Sequence, residues 1–207
     1  MADYTFFTNP MSRGQIVRWA LHEVDASYEQ FLVDWADKSA LLAINPMGKV
    51  PTLVHHAGGE DRVVTEAAAI CLYLAEMHPE ASLLPNDAET ADYFRWTFFA
   101  AGPVEQSITS RALKFEPTPE QQAMAGWGSF ERTMSTLESF LDGRTWVCGE
   151  RFTMADVYVG SSVDWGLNFG ILPPNEAFVA YADRCQSRLA YKAAKAVDNA
   201  LIADMKK

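Results

Sequence analysis

Two stretches of this 207-residue chain bring together residue types that bind and orient an anion. In the first, Asn9-Pro10-Met11-Ser12-Arg13-Gly14 stands between a strand-like and a helix-like run, so two neutral polar side chains and a cation gather where a helix would begin. In the second, Asn45-Pro46-Met47-Gly48-Lys49-Val50-Pro51 enters a β-branched run, and Thr65-Glu66-Ala67-Ala68 opens a helix-forming segment further on. A helix start offers unpaired amide donors and the positive end of the dipole, which together suit an anion. Val50 adds a backbone device. The residue before proline is held extended, and a cis bond at Val50–Pro51 would turn the Val50 N–H and C=O outward for a ligand. Plainer roles compete at each position. Ser12 is among the best helix N-caps, Asn9 before proline suits a turn, and Arg13 and Lys49 suit solvent. Glu66 suits a first helical turn, where the dipole favours an acid, with Thr65 as the N-cap.

The elements that must position these residues follow from periodicity. Tyr4 to Thr8 is aromatic and β-branched and predicts a first strand. Ile16, Val17, Trp19, Ala20, Leu21 and Val24 then take helical spacing, and Tyr28 to Val33 predicts a second strand parallel to the first. Trp35 to Ile44 predicts a short, irregular helix. Thr52–Val54 and Arg62–Val64 predict a hairpin turned at Gly58-Gly59-Glu60-Asp61, with His55-His56 exposed on it, and Ala67–Met77 a helix. His78 to Asp87, with two prolines, breaks the pattern as a linker. Beyond it no strand is expected. Helices are predicted over 88–113 with a kink at Gly102-Pro103, then over 119–141, 154–168, 176–188 and 190–205. Thr153 and Asp156 form a capping box at the start of the third of these, with Phe152 and Val157 at the staple positions.

Composition excludes several function classes. Hydrophobic residues make up 49% and charged residues 21%, which is the balance of a folded globular protein. The formal charge of −10 argues against a nucleic-acid partner. No apolar run reaches the roughly 20 residues of a membrane span, and the first residues lack a secretory pattern, so a cytoplasmic location with no membrane partner is expected. Cys71, Cys148 and Cys185 show no metal or redox spacing and are expected reduced and mostly buried. No metal is expected.

Three blocks, Phe7-Thr8-Asn9-Pro10-Met11-Ser12-Arg13-Gly14, Asn45-Pro46-Met47-Gly48-Lys49-Val50-Pro51-Thr52-Leu53 and Thr65-Glu66-Ala67-Ala68-Ala69-Ile70-Cys71-Leu72-Tyr73-Leu74, resemble the cytosolic glutathione S-transferases of bacterial type. The resemblance implies an α/β thioredoxin-like N-terminal domain plus an all-α C-terminal domain, divided as 1–80, a linker 81–88 and 89–207. It implies a homodimer, glutathione as co-substrate and a hydrophobic small-molecule electrophile as second substrate, in detoxification. Tyr93, Phe94, Trp96, Phe98, Phe99, Trp165 and Phe169 are candidates to line the electrophile site, although a helical aromatic stripe is more often core.

The implied chemistry needs the glutathione thiol as thiolate. A free thiol ionises near pH 8.5, and a shift of about 2 units to neutrality amounts to about 2.7 kcal/mol, which one or two charge-assisted hydrogen bonds of about 1.5–3 kcal/mol can supply. Families of this fold place the donor just after the first strand. Ser12, at the helix start, is the first choice. Asn9 follows closely, because counting back from Arg13 places it where serine-type members carry their serine; Thr8 is a further hydroxyl in the loop. Arg13 would raise the local potential. The resemblance assigns Lys49, Val50 and Pro51 to the peptide backbone and a carboxylate of glutathione, and Glu66 to the γ-glutamyl ammonium. At Ala67 the family generally has serine, so a hydroxyl contact to the γ-glutamyl carboxylate is missing. That substitution leaves open a non-catalytic glutathione-binding or regulatory protein, and Asn9 leaves open a glutathione-dependent disulfide reductase or peroxidase.

Overall fold

The computed structural model describes residues 2–205. By internal contacts it forms two compact units, one running to Ser82 and taking in the segment from Ser187 onward, the other spanning Leu83–Gln186.

The first unit is built on β1 (Tyr4–Thr8), α1 (Gly14–Glu23), β2 (Tyr28–Leu32), α2 (Ser39–Ile44), β3 (Thr52–Ala57), β4 (Glu60–Thr65) and α3 (Ala67–Met77). The strands lie in the order β2-β1-β3-β4, with β2 parallel to β1 and the β3–β4 hairpin antiparallel. This is the expected thioredoxin-like succession. Ala57 pairs with Glu60 across Gly58 and Gly59, both at positive φ; that is a primed two-residue turn, which glycine adopts without strain and whose twist suits a hairpin. β1 is central, and its Tyr4, Phe6 and Phe7 are buried. Phe7 packs with Val33, Leu41 and Val54, so α2 covers one face of the sheet. On α1 and α3, which pack on each other, Val17, Leu21, Ile70, Cys71 and Leu74 are fully buried.

A helix from the far end of the sequence completes this unit. It is the last of six α-helices that follow Ser82 among the described residues: α4 (Thr90–Phe99), α5 (Glu105–Ala112), α6 (Phe130–Leu141), α7 (Met154–Asn168), α8 (Glu176–Ser187) and α9 (Leu189–Met205). α9 lies along α1, with the Arg18 Nε donating to Asp198 Oδ1 at 2.8 Å, both side chains out of water. Arg18 Nη1 also donates to Tyr28 Oη and Gln30 Oε1, each at 3.0 Å. Trp19 meets Tyr191 edge-on at 5.1 Å, and Arg188 grips both Glu23 carboxylate oxygens at 2.6 Å. The sequence division at 89 places α9 with the other helices, whereas its contacts are with the first unit.

In the second unit the predicted kink at Gly102-Pro103 is a π-helical turn, Ala100–Val104, between α4 and α5. Proline has no N–H to give the ladder, and the wider turn absorbs that loss. The helix expected over 119–141 is shorter. Gln121–Ala123 is a single 3-10 turn and α6 begins only at Phe130, capped by Ser129 Oγ accepting from Arg132 N at 3.2 Å; Gly128, at φ +64, interrupts the helix between them. α7 begins as predicted, with both bonds of the Thr153–Asp156 capping box formed. Asp156 is fully buried. Its Oδ1 accepts from Val147 N and Tyr181 Oη, and its Oδ2 from Thr153 N and Oγ1. Of the aromatic stripe, Tyr93 and Trp96 are core, while Phe94 and Phe98 are exposed and stack on each other. Among the described residues no helix is long and apolar enough to cross a membrane.

Candidate functional site

The sheet register sets the site. Phe7 stands opposite Thr52, and Thr52 opposite Thr65. The residues beyond that row, Thr8 at the end of β1 and Asn9 after it, Val50–Pro51 before β3 and Glu66–Ala67 after β4, therefore emerge at the same end of the sheet. Residues separated by more than fifty positions in sequence meet there because one strand of each pair enters where the other leaves.

The Val50–Pro51 bond is cis, as expected. The loop before it is organised by Asn45, for which sequence reasoning gave no role. Asn45 is 6% exposed; its Oδ1 accepts from Met47 N at 3.1 Å, and its Nδ2 donates to Lys49 O at 3.1 Å and Thr52 Oγ1 at 3.0 Å. The signal was present as Asn-Pro-x-Gly, an Asx turn closed by a glycine. Gly48 sits at φ +58, with Leu42 Cδ2 only 3.0 Å from where a Cβ would stand. Asn45 thus consumes the Lys49 carbonyl, while the Val50 N–H and C=O have no backbone partner among the described residues. The Lys49 side chain is exposed.

Glu66, not Thr65, is the N-cap of α3; Thr65 remains in β4. Glu66 adopts φ 66° and ψ 118°, a conformation that costs a non-glycine residue about 1–3 kcal/mol and persists where the surroundings over-determine it. It makes no side-chain cap bond. The first hydrogen bond of α3 runs from Ile70 N to Glu66 O at 2.9 Å, which leaves the N–H groups of Ala67, Ala68 and Ala69 without a partner among the described residues. Glu66 is exposed and Ala67 is 7% exposed.

The first loop is tied through Asn9 and Ser12. Asn9 is 4% exposed, with Nδ2 donating to Val33 O at 3.2 Å and Oδ1 accepting from Met11 N at 2.9 Å. One of its two amide hydrogens is used in this way. Ser12 Oγ donates its only hydrogen to Asn9 O at 2.6 Å and accepts from Gly14 N at 3.0 Å. Arg13 occupies the N-cap position of α1 and is exposed. Thr8 is fully buried, and its Oγ1 stands in the space a Cβ on Gly14 would need, which favours glycine there.

Of the two hairpin histidines only His55 departs from expectation. His56 is exposed and pairs with Asp61, but His55 is half-buried, stacked on Tyr4 at 4.5 Å and bonded through Nδ1 to Tyr73 Oη at 2.7 Å. Burial pushes the Tyr4 hydroxyl up to about 12. Among the described residues no group of three or more His, Cys, Asp or Glu side chains is arranged for a metal ion. The cysteines are free. Cys71 and Cys185 are buried and Cys148 half-buried, and burial raises all three thiols, Cys148 to about 11.

The sequence matches the family model for the glutathione S-transferase N-terminal domain over residues 2–76 and that for the C-terminal domain over 94–188. It is 31% identical over 126 residues to glutathione S-transferase GstA of Escherichia coli O157:H7, covering 59% of this chain and 60% of that protein. It is 31% identical over 162 residues to glutathione S-transferase 2 of Schizosaccharomyces pombe, covering 73% of this chain and 68% of that one. A sphingomonad glutathione S-transferase solved in complex with glutathione superposes with a TM-score of 0.76 at 27% identity, over 94% of this chain and 98% of the other.

Proposed function

Because this chain belongs to the glutathione S-transferase family, we propose that it binds glutathione at the shared end of the sheet and conjugates its thiolate to a hydrophobic electrophile. The observation that carries the proposal is the pair of unpartnered backbone sets at that end, the Val50 N–H and C=O and the three free amides opening α3. A backbone N–H and C=O side by side suit the peptide of glutathione. The amides and dipole of α3 suit its γ-glutamyl carboxylate, with the Glu66 carboxylate toward the γ-glutamyl ammonium and Lys49 and Arg13 as cations about a ligand of net negative charge. In the reaction the sulfur forms a bond to the electrophilic carbon as the leaving group departs with the electron pair of its own bond. The protein contributes an ionised sulfur and proximity.

Asn9 is the donor we favour for that sulfur. The Ser12 hydrogen is already given to Asn9 O, and turning it to the ligand would break the bond that shapes the loop. Asn9 has an amide hydrogen beyond the one given to Val33 O. Asn9→Ala should raise the pKa of the bound thiol by about 1–2 units, equivalent to one lost charge-assisted bond. Ser12→Ala should change it less. Thiolate absorbance of bound glutathione against pH reads this directly; a shift confined to Ser12→Ala reassigns the donor.

The Ala67 methyl favours a second reading, glutathione binding without turnover. Conjugation of 1-chloro-2,4-dinitrobenzene decides between the two, since a protein that binds glutathione and turns over neither this nor other electrophiles is a binding protein. In either case Ala67→Ser should tighten glutathione by about 1.5–3 kcal/mol through one hydrogen bond to a charged group; calorimetry showing no gain would place the γ-glutamyl carboxylate elsewhere. A homodimer, a cytoplasmic location and a role in detoxification belong to the same proposal, as does a division of labour between residues 1–80 and 89–207.

A further inference from the structure

A line of hydrogen bonds runs from α9 to the loop that carries Asn9. Lys195 Nζ donates to Gln15 Oε1 at 2.8 Å. Gln15 is the second residue of α1, its own N–H bonded to Ser12 O, and its Nε2 donates to Pro10 O. Pro10 O and Met11 N belong to one planar peptide unit, and Met11 N donates in turn to Asn9 Oδ1 at 2.9 Å. Three amides thus stand in line, the Gln15 side chain, the peptide joining residues 10 and 11 and the Asn9 side chain, each accepting at its oxygen and donating at its nitrogen. An ammonium and a backbone N–H can only donate, so chemistry fixes which way round both side-chain amides sit. The Lys195 charge is at one end and Asn9 Nδ2 at the other. All of these residues belong to the first unit.

We propose that Gln15 and Lys195 are positioning residues for the sulfur donor, aiming and polarising the Asn9 amide from α1 and α9. The inference rests on glutathione binding with Asn9 as the donor, as proposed above. Pro10 has no N–H and its ring fixes φ, so its carbonyl is the backbone handle it offers. Gln15 holds that oxygen, while Asn9 Oδ1 takes the N–H on the other side of the same plane. With Nδ2 also donating to Val33 O at 3.2 Å, the Asn9 carboxamide is held at both ends, and its remaining hydrogen has one direction. Bonds joined in series polarise one another, each strengthening the next by about 10–30%. A cation at the accepting end of the first amide therefore makes the last N–H a better donor to a negative sulfur. Lys195 is set for this part. Its ammonium lies 5.4 Å from the centroid of the Tyr191 ring, and the Asp198 carboxyl, three positions on, feels its charge. Lys192, one turn earlier on α9, is exposed and carries the same charge outside this line of bonds.

The test reads thiolate absorbance of bound glutathione against pH for the wild type, Gln15→Met, Lys195→Met, Lys195→Arg and Lys192→Met, and for Lys195→Met combined with Asn9→Ala. Gln15→Met should raise the thiol pKa by about 0.5–1 unit and Lys195→Met by about 0.3–0.5 unit, each less than Asn9→Ala. Lys195→Arg should stay within about 0.2 unit of wild type, because a guanidinium can donate to the same oxygen, and Lys192→Met should do the same. In the Asn9→Ala background Lys195→Met should add nothing, since the line no longer reaches the sulfur. Calorimetry at a pH where the thiol is protonated should give affinities within about twofold of wild type throughout, which shows that the variants fold and that the ionised sulfur alone reads the change. Equal losses of affinity at low and high pH mean a merely structural role and overturn the inference. A pKa moved by Asn9→Ala but not by Gln15→Met or Lys195→Met overturns it and leaves the donor in place. A Lys195→Met shift that persists in full without Asn9, or that Lys192→Met matches, means charge acting through space and overturns it as well. If Asn9→Ala itself moves nothing, the donor and its positioning residues fall together, and if the wild type binds no glutathione the proposed function falls with them.

Discussion

Replacing Asp156 by alanine should destabilise the helical unit by about 4 kcal/mol or more, among the largest effects a single substitution produces. Four donors lose their acceptor at once, namely the N–H groups of Val147 and Thr153 and the hydroxyls of Thr153 and Tyr181. Each buried donor left unmade costs about 1–3 kcal/mol, less where a hydroxyl can turn elsewhere. Loss of the capping box contributes about 1 kcal/mol of this. Asp156→Asn should cost less, since its amide oxygen can still accept from one pair, while its NH2 faces the donors of the other. Urea unfolding measures both, and a loss under 1 kcal/mol for Asp156→Ala would mean that water takes over the four bonds. Burial, opposed by these donors, raises the Asp156 carboxyl to about 6. The folded form therefore holds its proton at pH values where the unfolded chain has released it. The sign follows: the stability contributed by this group is greatest below about pH 4, declines as pH rises toward 6 and is level above that. The difference between wild type and Asp156→Asn across that range isolates the group.

The second large effect is expected at the junction of α1 and α9. Asp198→Ala should cost about 3–5 kcal/mol, because it leaves the guanidinium of Arg18 buried without a counter-charge. Removing both charges should cost much less. Burial pushes the Asp198 carboxyl above its ordinary range in spite of Arg18, so desolvation outweighs attraction, and among the described residues Arg18 Nη2 and Asp198 Oδ2 lack hydrogen-bond partners. Arg18→Met with Asp198→Leu should therefore be within about 1–2 kcal/mol of wild type. A double-mutant cycle in urea measures the coupling; if Asp198→Ala alone is mild, the guanidinium has found another partner or water.

How much of this was legible in the sequence depended on range. Signals complete within a few residues carried through: the glycine pair of the hairpin, the end of α3 at Met77, and the Thr153–Asp156 box at the start of α7. The break between Gln121 and Phe130 was missed because apolar spacing continues across it, and only Gly126 and Gly128 marked it. Residue type nominated the site, but local geometry decides how each member is used. Ser12 and Asn9 share the chemistry of a donor, and the hydrogen bond from Ser12 Oγ to Asn9 O is what supports proposing Asn9 for the sulfur. Likewise Thr65 has the chemistry of an N-cap, yet its pairing with Thr52 keeps it in the strand and passes the turn to Glu66. The Arg18–Asp198 pair joins positions 180 apart. Its trace in the sequence was two charges set among apolar helix positions, Arg18 between Val17 and Trp19 and Asp198 after Val197, with nothing local to match one to the other.

The place of α9 also bears on how the protein is made. A ribosome releases the sheet, α1 and α3 first, and must add more than a hundred residues beyond Ser82 before the acid that faces Arg18 exists. At about 5–20 residues per second this leaves the nascent sheet unit incomplete for several seconds or more. Throughout that interval the apolar side of α1 and its guanidinium lack the surface that later covers them. The order of synthesis is thus the reverse of the order in which this unit can close: the first strand to emerge waits for the last helix.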